Sequence, residues 1–406
     1  MDILPILSAL RRNRVGAILI GIQIALTLAI VCNSLSIIQD RLAKMQRSTG
    51  IDEQNIFTMA NSWVGRPTDV GDKVTQDLAV LRSIPGVVDA TSMNSFPLRG
   101  GGWSQGVELQ QNQKTPTART SVYFTDDHSL AALGMRLVAG RWFTADEVGT
   151  WLINDVKVPS QMVVTQAMAK NLFPDGNAVG KNIYLTDNGN STQIIGIVDR
   201  TQTPWTAESF GEGFEENSIF LPYKFAYDGS YYVVRSKPGM QASVMHAAEQ
   251  RLLDVEHDRV IQKVRPFSES RALAYRSYRA LSLILGTVCA LLLIVTACGI
   301  VGLTTYWVGQ RRRQVGVRRA LGARKIDILR YFQTENLLIA GAGAALGICL
   351  AVGGNLWLVT HMDMTRISIG YVLAAAAIVL VLSQAAVIWP AARAAAIPPA
   401  MATRNV

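Results

Sequence analysis

The sequence predicts a membrane protein: an α-helical part with four transmembrane helices, plus a large extracytoplasmic α/β domain of split βαβ units carrying an inserted β-rich subdomain. Three observations predict it. Four long apolar runs free of charge stand near the two ends of the chain. The polar segment between the first and second runs is nearly charge-balanced, and the basic excess lies beside the apolar runs.

A helical span needs about 20 apolar residues to cross a hydrocarbon core of about 30 Å. Val15 to Gln39, Ala280 to Gln310, Asn336 to Thr360 and Ile367 to Ala392 all qualify. The first run follows Arg11 and Arg12 as a signal peptide would. It is too long for one, and Cys32-Asn33-Ser34 leads into more apolar residues instead of a cleavage site, so it is predicted to stay as an anchor. With 49% hydrophobic residues and a mean hydropathy of +0.21, the chain is a mixed protein, neither a soluble enzyme nor wholly buried in lipid.

A net charge of +9 would suit a nucleic-acid binder only if it were spread over a folded surface. It is not. Between Asp40 and Arg279 there are 25 basic and 26 acidic residues. The excess sits in Arg11, Arg12 and Arg14, in Arg311 to Arg330, and in Arg393 and Arg404. That is the positive-inside pattern; it argues against nucleic acid and for membrane lipids as neighbours. It places both termini and the loop at about 310–334 in the cytoplasm, with residues 40–279 and the turn around Asp363 and Arg366 outside. Cys32, Cys289, Cys298 and Cys349 all fall in apolar runs, so the outer segment must fold without disulfides.

Glycines at close-packing intervals mark helix contacts. Gly343 and Gly347 form a small-xxx-small pair, and Gly299 and Gly302 lie on the second run. They serve packing within one chain at least as readily as a dimer interface. Gln23 and Gln384, within spans, are suited to interhelical hydrogen bonds.

The outer segment shows one pattern twice. Asn55 to Trp63 reads as a strand, Asp69 precedes a helix with Val74, Leu78 and Leu81 on one face, and Val87 to Phe96 reads as a strand. Tyr231 to Ser236, then Met240, Val244, Ala248 and Leu252 after Pro238-Gly239, then Arg259 to Phe267 repeat it. Two βαβ units at about 52–96 and 230–268 predict a mixed or antiparallel sheet with helices on one face. Residues 97–222 between them, with Gly100-Gly101-Gly102 and short strands such as Gln161 to Thr165 and Gln193 to Asp199, form the inserted subdomain.

Resident chemistry is not apparent. Gly176-Asn177-Ala178-Val179-Gly180-Lys181-Asn182 approaches a phosphate-binding loop, but it is one residue short between its glycines and has Asn182 where a hydroxyl must meet magnesium. His128, His246, His257 and His361 are scattered without zinc spacing, and no G-x-S-x-G elbow is present. No cofactor or metal is predicted in this chain.

Specific strings then carry a resemblance. Leu133-Gly134-Met135-Arg136-Leu137-Val138-Ala139-Gly140-Arg141-Trp142-Phe143, Val163-Val164-Thr165-Gln166-Ala167-Met168-Ala169, Leu172-Phe173-Pro174 and Val179-Gly180-Lys181 resemble the periplasmic core domain of MacB-like permeases. Arg311-Arg312-Arg313-Gln314-Val315-Gly316-Val317-Arg318-Arg319-Ala320-Leu321-Gly322-Ala323 resembles the cytoplasmic signature of FtsX-like permeases, and Pro390 to Ala395 with Pro398 their C-terminal end. The resemblance implies residues 1–39 as N-terminus and first span, 40–279 as core domain and 280–406 as permease domain. It further implies mechanotransmission, in which a separate cytoplasmic ABC ATPase binds ATP and magnesium and drives the outer domains through the membrane helices.

Export or efflux is the leading function. Lipoprotein or lipid extraction, as in LolC-like relatives, and regulation of a cell-wall hydrolase, as in FtsX, are the alternatives. Partners implied are the ATPase, a second permease copy or a homologous permease, and a periplasmic adaptor with an outer-membrane channel. In the loop, Val315, Val317, Ala320 and Leu321 offer an apolar side that Ile326 and Leu329 extend. Gly316 to Ile328 is predicted to form a coupling helix seated on the ATPase, with Gly316, Val317, Arg318, Arg319, Ala320, Leu321, Gly322, Ala323 and Ile326 at the contact. Gln314 stands where the family resembled usually carries an acid, and another is often found near Gln310; their loss puts ATPase contacts there in doubt and suggests pairing with a second, more typical permease. Glu335 is placed at the start of the third span, where the helix dipole favours a negative charge.

Overall fold

The computed structural model describes residues 14–65, 69–151, 159–185, 190–206, 214–226, 229–362 and 366–396. Arg11, Arg12, Asp363, Pro398 and Arg404 lie outside the described residues. The chain divides into two units, one of residues 47–276 and one built from the segments on either side.

The flanking unit is helical. Its long helices are α1 (Arg14–Gln46), α7 (Arg276–Gln310), α9 (Lys325–Met362) and α10 (Ile369–Ala395), each long and apolar enough to cross a membrane. A short helix, α8 (Arg312–Ala320), lies between α7 and α9. At about 1.5 Å per residue, α1, α7 and α9 exceed the hydrocarbon core by several turns. Ile20, Ile24 and Leu28 of α1, Ile339, Ala340 and Ala344 of α9, and Val372, Ala375 and Val379 of α10 share one core. Polar contacts tie α1 to α7 and α9 to α10: Thr27 to Thr296 at 2.8 Å, and Asn336 Nδ2 donating to the Ser383 carbonyl at 3.1 Å. Gln23 Nε2 donates to the Val295 carbonyl at 3.1 Å, whereas Gln384 Nε2 is buried without a hydrogen-bond partner.

The outer unit holds the predicted split sheet. Strands β1 (Ile56–Trp63), β2 (Val87–Met93), β11 (Gly229–Ser236) and β12 (Arg259–Pro266) pair in the order β12-β1-β11-β2, every neighbour antiparallel. Helices α2 (Val70–Ser83) and α5 (Gln241–Val255) cover one face. Strand residues two apart, Phe57, Met59 and Trp63 on β1 and Tyr232 and Val234 on β11, meet Val74, Leu78 and Leu81 of α2 and Val244, Ala248 and Leu252 of α5. The two periodicities of the sequence thus meet in one core.

One ionic group lies within that layer. Asp77 of α2 accepts from Arg259 at 2.7 and 2.9 Å and from the Tyr232 hydroxyl at 2.5 Å. Burial, and then the Asp77 charge, push the Tyr232 hydroxyl well above its ordinary pKa, so it stays a donor.

The insertion closes on itself. Strands β3 (Trp103–Glu108), β4 (Ala118–Thr125), β7 (Gln161–Thr165), β8 (Asn182–Leu185), β9 (Ser191–Val198) and β10 (Ser218–Phe225) follow the order β4-β3-β8-β9-β7-β10, and β10 pairs in parallel with β4 to complete a ring. Val107, Phe124, Met162, Ile183, Ile194 and Ile219 fill it. Strands β5 (Leu137–Gly140) and β6 (Gly149–Trp151) add to β9 and β10, and α4 (Gln166–Leu172) packs Met168 and Leu172 into the same core. Two further short helices are α3 (Ser129–Leu133) and α6 (Phe267–Ala274).

Candidate functional site

The basic segment between α7 and α9 is almost wholly helical, but it is two helices, where the sequence predicts one over Gly316 to Ile328. Helix α8 ends at Ala320, with Leu321 as its cap. The amide of Gly322 donates to the Arg319 carbonyl at 3.2 Å and that of Ala323 to the Arg318 carbonyl at 3.1 Å, with Gly322 at φ +98°. This is a Schellman ending, and glycine meets its left-handed position at least cost. Helix α9 then starts at Lys325, where Asp327 turns back to accept from the Arg324 amide at 2.9 Å. The third apolar run is therefore the continuation of a helix that begins inside the basic segment.

That start corrects the reading of Glu335. It lies ten residues into α9, away from the end dipole, and is 2% exposed. Its charge is held by Arg311, whose Nη1 donates to both carboxylate oxygens at 3.0 and 2.7 Å. Arg311 is thus a half-buried structural partner of Glu335. Arg318 lies with its guanidinium 4.8 Å from the centre of the Tyr331 ring, whereas Arg312, Arg313 and Gln314 are exposed. Gln310 Nε2 donates to the Tyr306 hydroxyl at 2.8 Å. A lone acid at the edge of a strongly basic region was the sequence signal for the Arg311 pair.

The apolar side of the segment is divided too. Val315 turns inward and is buried beside Ile328 and Phe332, with Ala323 and Leu329 packed on that core. Gly316 is buried. Val317, Leu321 and Ile326 face outward at 45%, 83% and 47% exposure, and Ala320 and Gly322 are exposed with them. Arg319 is half-buried, with its Nε lacking a hydrogen-bond partner. Leu321 projects from the turn, an apolar tip with Arg318, Arg319 and Arg324 as its neighbours in sequence.

Of the packing glycines, Gly343 and Gly347 lie against α1. A Cβ added to Gly343 would stand 2.7 Å from the Gly21 carbonyl oxygen, and one on Gly347 2.9 Å from that of Ala25. Gly299 faces Gln23, with its added Cβ 2.7 Å from Oε1, while Gly302 has nothing within 4 Å.

In the outer unit, the strings that carry the resemblance occupy strained or buried positions. Gly140 has φ +70° and would bring a Cβ within 2.1 Å of the Ile195 carbonyl oxygen. Trp142 and Phe143 are buried, and Trp142 Nε1 donates to the Asp126 carbonyl at 3.1 Å. Arg141 pairs with Glu147 at 2.6 Å. Thr165 caps α4 by accepting from the Met168 amide and donates to the Glu216 carbonyl at 2.7 Å. The string from Gly176 to Asn182 runs into strand β8, so no helix N-terminus follows Lys181 to receive a phosphate. His128 Nδ1 stands 3.0 Å from the Asp89 carboxylate. Among the described residues no three His, Cys, Asp or Glu side chains converge as a metal site.

Two family profiles match the chain. The family profile of the MacB-like periplasmic core domain matches residues 16–251, and that of the FtsX-like permease C-terminal region matches residues 286–399. The macrolide export ATP-binding/permease protein MacB of Chromobacterium violaceum is 30% identical over 230 residues, 54% of this chain and 33% of that protein. Its counterpart in Marinobacter nauticus is 24% identical over 358 residues, 79% of this chain and 52% of that protein. The pyoverdine export ATP-binding/permease protein PvdT of Pseudomonas entomophila is 30% identical over 212 residues, 48% of this chain and 31% of that protein. The chain spans between 31% and 52% of the length of these curated relatives.

Proposed function

The chain belongs to the family of the MacB-like periplasmic core domain, continued by an FtsX-like permease region, and from that membership we propose that it is the membrane subunit of an ABC-type export system. The relatives named above are export proteins for macrolides and for pyoverdine, which supports export over hydrolase regulation. In this reading a separate ATPase binds ATP and magnesium in the cytoplasm. The basic segment faces it there, both termini lie on that side, and residues 40–279 stand in the periplasm.

The observation that carries the proposal is Leu321. Leu321, 83% exposed, shares the segment with the outward-facing Val317 and Ile326, and it sits on a turn whose backbone is fixed by Gly322 and whose flanks in sequence are cationic. That combination suits insertion into a partner's apolar groove with an acidic rim. Movement of the partner then reaches α9 without an intervening loop, because Ile326 is on α9 itself. A second permease, and an adaptor with an outer-membrane channel, complete the assembly in the same proposal.

The test is co-purification with the ATPase and measurement of coupled ATP hydrolysis for Leu321→Asp. The expected result is loss of association and at least about a tenfold fall in coupled activity, with the unfolding temperature unchanged because the side chain touches no core. Unaltered association and coupling would overturn the proposal. Ala323→Arg is the weaker probe, since Ala323 packs against the helical core and its change also disturbs the fold.

A further inference from the structure

On the face of the four-stranded sheet opposite α2 and α5 lies a cavity of about 460 Å³, a size usual for small-molecule sites. Thr58 and Ala60 of β1 and Tyr231 of β11 line it from the sheet, Phe96 and residues 98–101 from one side, and Ser270, Leu273 and Ala274 of α6 from another. All belong to the outer unit.

The lining has two characters. Phe96, Leu98 and Leu273 make it apolar, and Phe96 meets Tyr231 edge to face at 5.6 Å. Arg99, Lys263 and Arg265 make it cationic. Arg99 is already engaged: it donates to the Gly101 carbonyl at 2.8 Å and to the Tyr231 hydroxyl, and lies over the Tyr231 ring at 4.1 Å. Among the described residues, the ion pair found for Arg265 is with Glu269, at 4.0 Å, and that carboxylate is 58% exposed. For the Lys263 ammonium no hydrogen bond or ion pair is found among the described residues.

Lys263 reaches the cavity by an unusual route. Thr58 pairs with Arg265 and Ala60 with Gln262, so one residue of β1 faces two of β12, Lys263 and Val264. Lys263 occupies this bulge at φ +52°. Bulges with a left-handed residue normally place glycine there, and bulges re-aim side chains beside functional sites. A lysine at that position keeps a strained backbone and adds a cation to the lining of the cavity. Leu98, at φ +62°, lines the same cavity, so two of the three non-glycine left-handed residues among those described border it.

We infer that this cavity is a binding site for a small amphiphilic anion, its apolar body against Phe96, Leu98 and Leu273 and its carboxylate, sulfonate or phosphate against Lys263 and Arg265. The volume is too small for a two-chain phospholipid, so the ligand class is a soluble amphiphile. The site does not depend on the export reading, because its binding needs neither ATPase nor transport.

The test uses the full chain in phosphatidylcholine nanodiscs, with 2-naphthalenesulfonate as probe and 2-naphthalenemethanol as its neutral counterpart, both followed by equilibrium dialysis. Saturable binding of one sulfonate per chain is expected, with the neutral probe at least about tenfold weaker. Lys263→Gly and Lys263→Gln should each weaken sulfonate binding at least about fivefold, while Lys170→Gln, outside the cavity, leaves it unchanged. Lys263→Gly should also hold or raise the unfolding temperature, because glycine is at ease where lysine is strained. Absence of saturable binding, or equal sulfonate affinity in the wild type, Lys263→Gly and Arg265→Met, would overturn the assignment. So would a lowered unfolding temperature of Lys263→Gly, since the lysine would then be serving the fold.

Discussion

Nη1 of Arg311 donates to both carboxylate oxygens of Glu335, joining the residue that follows α7 to the interior of α9 across the whole of α8. The two side chains are 11% and 3% exposed, so the pair is largely withdrawn from the surface. Opening a buried pair from one side leaves the other charge unpaired, at about 3–5 kcal/mol, whereas replacing both partners by apolar groups costs much less. Glu335→Gln should therefore lower the unfolding temperature in nanodiscs more than the double change Arg311→Met with Glu335→Met. Equal losses in the two would show that the pair is peripheral.

Gly322 should tolerate no side chain. At φ +98° an alanine costs about 1–2 kcal/mol and loosens the Schellman ending that orients Leu321. Gly322→Ala is expected to reduce coupled ATPase activity while the chain still associates with its partner. Activity equal to wild type would mean that the turn geometry is irrelevant to coupling.

Gly343 and Gly347 should respond in a graded way. Leucine at either position forces α9 away from the Gly21 or Ala25 backbone, at a cost of several kcal/mol. Leucine at Gly353, which has nothing within 4 Å, should leave the unfolding temperature unchanged. A loss confined to Gly353→Leu would place the critical contact in a second chain.

Gly140 is a stricter case in the outer unit. Its φ of +70° and the 2.1 Å approach to the Ile195 oxygen act together, so Gly140→Ala should displace β5 from β9 and cost several kcal/mol. Amide exchange in β9 would report it; wild-type protection there would refute the steric argument.

Arg141 supplies a pH dependence. Its hydrogen bond holds the Glu147 carboxyl at about 2, against an ordinary 4.5. A carboxyl whose pKa falls on folding contributes stability that is complete above about 4.5 and lost progressively as the pH falls through about 2. Glu147→Gln should accordingly be less stable than wild type at about pH 5, with the gap closing toward pH 2. A gap that stays constant across that window would contradict the pairing.

The sheet of the outer unit was legible because its signals are local. Val74, Leu78 and Leu81 mark α2 by spacing alone, and Phe57, Met59 and Trp63 mark β1. Closure of the insertion into a ring was not legible, since β10 meets β4 across almost a hundred residues and nothing in Ser218 to Phe225 names its partner. The basic segment was legible in charge and position but not in shape. Gly322 was visible as an interruption, yet only the backbone shows that it ends one helix and frees the next to run on. Glu335 was misplaced because a helix start was taken from where charge stops, and α9 begins well before that. The Lys263 bulge left no trace, as lysine is the wrong residue for the conformation it adopts.

Helix α9 is 38 residues long, about 57 Å, and Pro is absent from it. Along one side its glycines let it lie backbone to backbone with α1, the helix that leads by covalent continuity into residues 47–276. Because that contact is backbone against backbone, α1 and α9 have little room to slide past one another, so under the coupling proposed above a push on the basic end of α9 would be shared with α1 and not absorbed between the two.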